Sequence, residues 1–412
     1  MIFCLVYDIL VIGCKTMKRN KKIFSFLDVS AIVIATAAIM SFLGATIIYK
    51  HLGGVNFSLL GEDQNLKEFI SAYNNLVDNY YDTLDSKALI DGAIKGMYSV
   101  TGDPYTTYLD ETSTDSLDNS LNGKYEGVGI GIFQNEEGNI IIREVYDDSP
   151  AIKAGLQPGD IITAVDGEEI KGQDATIVTK RLQENKSAKF TILRDTQTFE
   201  VTMKTATLLV PVVKTNIFEQ NGRKVGYLRL SIFSDTADIQ FSNALSKLES
   251  SNIDSLIVDL RDNSGGYLQV AKNIAEAFIE KGKVIYSLDG KEMKETAKDA
   301  TNEKRNYPVS VLINHNSASA SEILAAALKY SYGARLTGLK SYGKGKVQER
   351  AKLSNGTTVK YTTAKWLTPN GDCIDGIGLQ PDLEIEFVTE GFDQDNIYTD
   401  FQVMQTVKDL VE

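Results

Sequence analysis

A run of alternating small residues, Ser317-Ala318-Ser319-Ala320-Ser321, lies between an apolar stretch (309–313) and a helix-like apolar pattern (323–328). A strand that gives way to a helix through side chains this small must turn tightly, with nothing bulky to shield the turn. Such a turn holds a serine hydroxyl in the open. The helix behind it supplies backbone N–H groups that lack intrahelical acceptors. Lys344, set between Gly343 and Gly345, follows Ser319 by 25 residues and can reach that hydroxyl. These parts suggest a hydrolase that works with a serine and a lysine.

The alternation extends through the second half of the chain. Residues 225–230, 255–260 and 309–313 read as strands, and 237–248, 267–278 and 321–329 as helices. Strand–helix alternation implies an α/β domain with a largely parallel sheet, whose sites form beyond the carboxyl ends of its strands. Both Gly265-Gly266 and Ser319 fall there. A net charge of -12 argues against a nucleic-acid surface, which needs clustered Lys and Arg. The three cysteines, Cys4, Cys14 and Cys373, offer no disulfide to the segment after residue 49. With only His51 and His315, most His-based metal sites are excluded. No metal or cofactor is expected.

The first half reads in three pieces. Residues 29–49 hold 21 residues without a charge, enough to cross about 30 Å of hydrocarbon as a helix, and Lys18-Arg19-Asn20-Lys21-Lys22 precedes them. By the positive-inside rule, residues 1–28 are expected in the cytoplasm. The rest is expected outside, on a single-pass anchor in the cell membrane. A cleaved signal peptide is the other reading, but no small-x-small site stands near Gly44-Ala45-Thr46 and the run is long for one. Met17, just before the basic cluster, reads as a more natural start than Met1. In the juxtamembrane and helical region, 50–122, Leu66, Phe69, Ile70, Tyr73 and Leu76 recur at helical spacing. A second helix is expected over 86–100, ending near Gly102-Asp103-Pro104. The pair is either a packed hairpin or an arm for a homodimer.

Between 123 and 204 the segments Gly127-Val128-Gly129-Ile130 and S-P-A-I-K-A-G-L-Q-P-G-D-I-I (149–162) resemble bacterial PDZ domains. The resemblance implies a β-barrel-like module. In it the backbone of Val128, Gly129 and Ile130 receives a peptide's C-terminal carboxylate, a nest combined with strand addition. Arg194, at the end of a strand over 190–193, reads either as a gating bridge to the α/β domain or as a solvated charge.

Three serines compete for the role of nucleophile. Ser319 with Glu322 also forms a capping box, in which a serine merely caps a helix. A second glycine turn, D-L-R-D-N-S-G-G (259–266), can add N–H groups to that of Ala320 as an oxyanion hole. For the base, His315 competes with Lys344. A lysine serves only when neutral, and moving its pKa from about 10.4 to near 7–8 takes about 4 kcal/mol, which burial can supply.

The segments SASASEILAAAL, YGKGKVQ, DLRDNSGG and KWLTPNG resemble the C-terminal processing peptidases, or tail-specific proteases, and IDGAIKGMYSVTGDPYTTYLD resembles their N-terminal region. The resemblance implies Ser319 as nucleophile, Lys344 as base and Gln348 as its orienting partner. It places the oxyanion donors on Ala320 and Gly265, with Gly266 a close second. Asn263-Ser264 stands where the family commonly has Asn-Pro. The expected fold is an α/β protease core (205–390, with a tail over 391–412), a PDZ domain, an N-terminal helical region and one transmembrane helix. The expected activity is cleavage, through an acyl-enzyme, of protein substrates recognised by their free C-termini. The alternative is a silent, membrane-anchored PDZ scaffold.

Overall fold

The computed structural model describes Thr36, residues 63–146 and residues 148–412. The chain divides into two compact units, 1–89 and 90–412. In the first, helix Gln64–Asn79 is capped by the Asp63 carboxylate, which accepts the N–H groups of Asn65 and Leu66. None of its residues is buried, and Phe69, Ile70 and Leu76 of its apolar stripe are exposed. The expectation of a transmembrane helix is corrected. No helix among the described residues is long and apolar enough to cross a membrane. The 16-residue helix Gln64–Asn79 would extend about 24 Å, against the ~30 Å of a bilayer core. The segment 29–49 on which that expectation fell lies outside the described residues except for Thr36, as do residues 1–28 and His51.

The second unit is built on a six-stranded sheet. Its order is Val213–Gln220, Arg223–Leu230, Ser255–Asp259, Val309–Ile313, Arg335–Gly338 and Leu383–Glu384. The first pair is antiparallel and every later pair is parallel. Ser255–Asp259 and Val309–Ile313 are buried along their whole length, as central parallel strands covered on both faces must be. Helices Ala237–Ser250, Leu268–Glu276 and Ala320–Ala327 join the main core. The tail over 391–412 ends in helix Phe401–Val411. Its Val403, Val407 and Val411 pack with Tyr227, Ile257 and Leu312.

A second, antiparallel sheet carries Val284–Gly290, Lys294–Lys298, Lys346–Lys352 and Thr358–Leu367, and takes Thr107–Leu109 at one edge. The PDZ module is inserted ahead of the core. Its sheet runs Ile130–Gln134, Ile140–Val145, Ile161–Val165, Ser187–Arg194 and Gln197–Lys204 around its own apolar cluster. Its entry and exit, Lys124–Gly127 and Ala206–Leu209, pair as a two-stranded neck.

One buried polar network supports the loop after Ser255–Asp259. Arg261 donates to Asp259 (2.6 Å), to Asp400 (2.8 Å) and to Gln402 (2.9 Å), and Tyr227 Oη donates to Asp259 at 2.7 Å. Burial pushes the Asp259 carboxyl up, but Arg261 and Tyr227 hold it below its usual range. Its stabilising contribution is therefore present above about pH 4 and is lost as pH falls through its depressed folded value. Arg261→Ala leaves two carboxylates without their buried partner. The expected cost is about 3–5 kcal/mol, read as a lowered urea midpoint.

Candidate active site

The turn between Val309–Ile313 and Ala320–Ala327 puts Ser319 at a positive φ that non-glycine residues rarely adopt, φ 56° and ψ -116°. The two neighbouring serines are spent on structure. Ser317 Oγ donates to Leu260 O at 2.8 Å, and Ser321 Oγ to Asn263 O at 2.7 Å. Both are buried, whereas Ser319 lines a cleft of about 750 Å³. His315 is exposed and does not line that cleft.

The glycine loop is held against this turn by Asn263. Its carbonyl accepts the Ala318 N–H at 3.0 Å, its Nδ2 donates to Leu230 O at 2.8 Å, and its Oδ1 accepts the Gly265 N–H at 2.9 Å. That last bond changes the reading of the oxyanion donors, because the N–H of Gly265 is already engaged. Gly266 is exposed and lines the cleft. Its bridge to Phe233 is made by the flanking bonds, Phe233 N–H to Gly265 O and Tyr267 N–H to Phe233 O. Ala320 is the first residue of its helix, so its N–H has no intrahelical acceptor. Gly265 is needed for fit. A Cβ there would stand 2.8 Å from Ala318 O and 2.9 Å from Ser319 Cβ.

Lys344 enters the same cleft from the turn before strand Lys346–Lys352. The carboxylate that joins this turn to the serine turn is Glu322, which is fully buried. Glu322 Oε2 accepts the N–H groups of Ser319 and Lys344, each at 2.9 Å. Its Oε1 accepts Ser341 Oγ at 2.6 Å and Gly343 N–H at 2.7 Å. Burial pushes the Glu322 carboxyl up, against these four donors. The Trp366 indole donates to Lys344 O at 2.8 Å, so the lysine backbone is clamped on both sides. The flanking glycines are required by close approach. A Cβ on Gly343 would lie 2.8 Å from Gly378 N, and one on Gly345 would lie 2.6 Å from Asp375 N. Burial holds the Lys344 amine below the usual lysine range, and the charge of Lys360 adds to this. Glu322 and Asp103 pull the other way.

Gln348 lines the cleft with Lys344, but its amide donates to Thr362 Oγ1 at 3.4 Å rather than to the lysine. Arg194 closes on its own domain. It donates twice to Asp160, at 2.6 and 2.7 Å, and once to Gly155 O, at 2.7 Å, all within the PDZ module. In the PDZ loop Gly129 has φ 84°, and a Cβ there would fall 2.2 Å from Ser149 Cβ. The carbonyls of Val128 and Gly129 accept from Ala151 (2.9 Å) and Tyr146 (3.0 Å), and the Val128 side chain is buried in the PDZ core. Ile130 opens the strand at the edge of the PDZ sheet.

Two features escape sequence reasoning. Glu322 is legible only as a capping residue three positions after Ser319, with no sign of its bonds to the lysine turn. Asn263 shows itself only as the residue where a proline motif begins.

The comparisons fall on the same segments. The model of peptidase family S41 matches residues 224–385, and a PDZ domain model matches 128–205. A model described as the activating protease CtpB N-terminal domain matches 50–113. The carboxy-terminal processing protease CtpA of Bacillus subtilis is 33% identical over 380 residues, covering 90% of this chain and 78% of that protein. A Staphylococcus haemolyticus protein described as "Probable CtpA-like serine protease" is 35% identical over 360 residues, covering 86% of this chain and 71% of that one. Among solved structures, a photosystem II D1 C-terminal processing protease covers 81% of this chain and 89% of its own, with 24% identity and a TM-score of 0.47.

Glu322→Gln tests the clamp between the two turns. It sets an NH2 group against backbone N–H donors. The expected loss is about 2–3 kcal/mol of stability in urea unfolding, with the protein still folded at room temperature.

Proposed function

The chain belongs to peptidase family S41, as a serine-type C-terminal processing protease with a PDZ domain, and from that premise we propose how its own residues carry out the cleavage. A substrate's C-terminal carboxylate docks on the backbone of Val128, Gly129 and Ile130. The residues before it add a strand to the edge strand Ile130–Gln134. At the cleft, neutral Lys344 takes the proton of Ser319 Oγ, and the alkoxide attacks the scissile carbonyl carbon. The oxyanion is held by the N–H groups of Ala320 and Gly266, while Gly265 shapes the loop. Collapse breaks the C–N bond, Lys344 returns the proton to the departing amine, and an acyl-enzyme remains on Ser319. Lys344 then deprotonates the water that hydrolyses it.

The observation that carries this reading is Glu322, whose single carboxylate binds the N–H groups of both Ser319 and Lys344. A nucleophile turn and a base turn fastened to one buried group face one cleft in fixed relation. The depressed affinity of Lys344 for its proton supports its role as base, because burial favours the neutral amine.

The test uses an unstructured protein with an apolar C-terminus, followed by mass spectrometry. Ser319→Ala and Lys344→Ala are each expected to lose at least about 10³-fold in kcat/KM. Binding of the peptide with no cleavage by the parent would favour the silent scaffold. Because the reactive form of Lys344 is unprotonated, activity should rise with pH through the depressed lysine pKa. A flat profile from about pH 6 to 9 would count against Lys344 as base.

A further inference from the structure

The segment 103–109 comes to the second sheet of the core from the N-terminal side. Thr107–Leu109 pairs antiparallel with residues 358–360 of strand Thr358–Leu367. Just ahead of it, Asp103 accepts from Lys346 Nζ at 3.2 Å, from Thr106 Oγ1 at 2.7 Å and from Thr362 Oγ1. Burial pushes the Asp103 carboxyl up, but Thr362, Thr106 and Lys346 together bring it down to about 2, so this anchor stays charged at any working pH. Between the anchor and the strand sits Tyr105. Its ring centroid lies 4.9 Å from Lys344 Nζ and 5.6 Å from Lys346 Nζ.

We infer that Tyr105 is a positioning residue for Lys344: its ring covers one face of the amine and keeps water off it. The inference rests on the reading of Lys344 as the base. It also means that the base is completed by a segment 239 residues upstream.

Two effects of the ring oppose each other. Its quadrupole attracts an ammonium, by about 0.5–2 kcal/mol. Its bulk excludes water, which disfavours the ammonium by up to several pK units when burial is complete. For Lys344 burial is the leading cause of a downward shift, the direction in which a ring that excludes water acts. The other groups around the amine come from every neighbouring element. Lys360, on the strand paired with Thr107–Leu109, pushes the same way as burial, while Glu322 and Asp103 act against it through space. Lys346 is committed to Asp103. Tyr342, Asp375 and Glu322 bear on the Tyr105 phenol, which burial and then Tyr342 push up to about 12, so it stays neutral beside the amine.

The test is the pH profile of kcat/KM for the full chain and for Tyr105→Ala, Tyr105→Gln and Tyr105→Phe. The parent should show an acid limb set by Lys344. In the Ala and Gln variants, water reaches the amine, and the limb should move up by about one unit. That is about a tenfold loss below the limb, with the plateau regained at higher pH. Tyr105→Phe keeps the ring and should keep the limb of the parent. The inference is overturned if the limb stays put in the Ala and Gln variants, or if they lose the same factor at every pH. A limb shifted in Tyr105→Phe overturns it too, and that variant keeps the test open should the other two fail to fold. A parent profile without any acid limb overturns the Lys344 reading as well. A parent limb that Tyr105→Ala leaves in place overturns only the role of the ring.

Discussion

A carboxylate with no access to water is costly unless its lone pairs are filled, and Glu322 fills its own from two turns that the chain separates by more than 20 residues. Neither turn can drift without leaving a buried charge short of donors. Ser341 extends the arrangement, because its hydroxyl donates to Glu322 and accepts the Leu379 N–H at 2.7 Å. The loop thereby fixed packs so closely on the lysine turn that only glycine fits at 343 and 345. Serine turn, lysine turn and the loop behind them thus form one rigid piece, and the capping role of Glu322 is a small part of what it does.

The serine turn also stores strain. A non-glycine residue in a sparsely populated conformation at positive φ, as Ser319 is, costs about 1–3 kcal/mol and persists only when its surroundings over-determine it. Here the surroundings are the hydroxyls of Ser317 and Ser321, bonded to the preceding loop, and Asn263, which bonds the serine turn, the glycine loop and strand Arg223–Leu230. Beneath that loop, Arg261 ties Asp259 to the C-terminal helix through Asp400 and Gln402. The residues past 390 therefore belong to the support of the site rather than to a loose end.

The small-residue turn, the strands and helices of the core and the glycine–lysine–glycine turn were legible in the sequence, because each depends on local chemistry: side-chain size, periodicity and backbone freedom; the PDZ loop was legible through its resemblance to a known family. The transmembrane helix expected over 29–49 has no counterpart among the described residues. Other features were out of reach for a single reason, that a hydrogen-bond partner distant in the chain is chosen by packing. Three serines look alike until Leu260 and Asn263 take two of them. Two glycines look alike until Asn263 engages the N–H of one. Arg194 reads equally as a bridge or as a solvated charge, and its bonds to Asp160 could not be read from the sequence.

By itself the sequence determined the parts: an α/β core with a serine turn and a lysine turn, and a PDZ module ahead of it. Only the tertiary structure decided which groups within those parts remain available for chemistry. It joined the two turns through Glu322 and laid Tyr105 over the lysine. The physical reason is that propensity and periodicity act within a few residues. Burial of a charge and exclusion of water are settled by whatever surfaces the completed fold presses together.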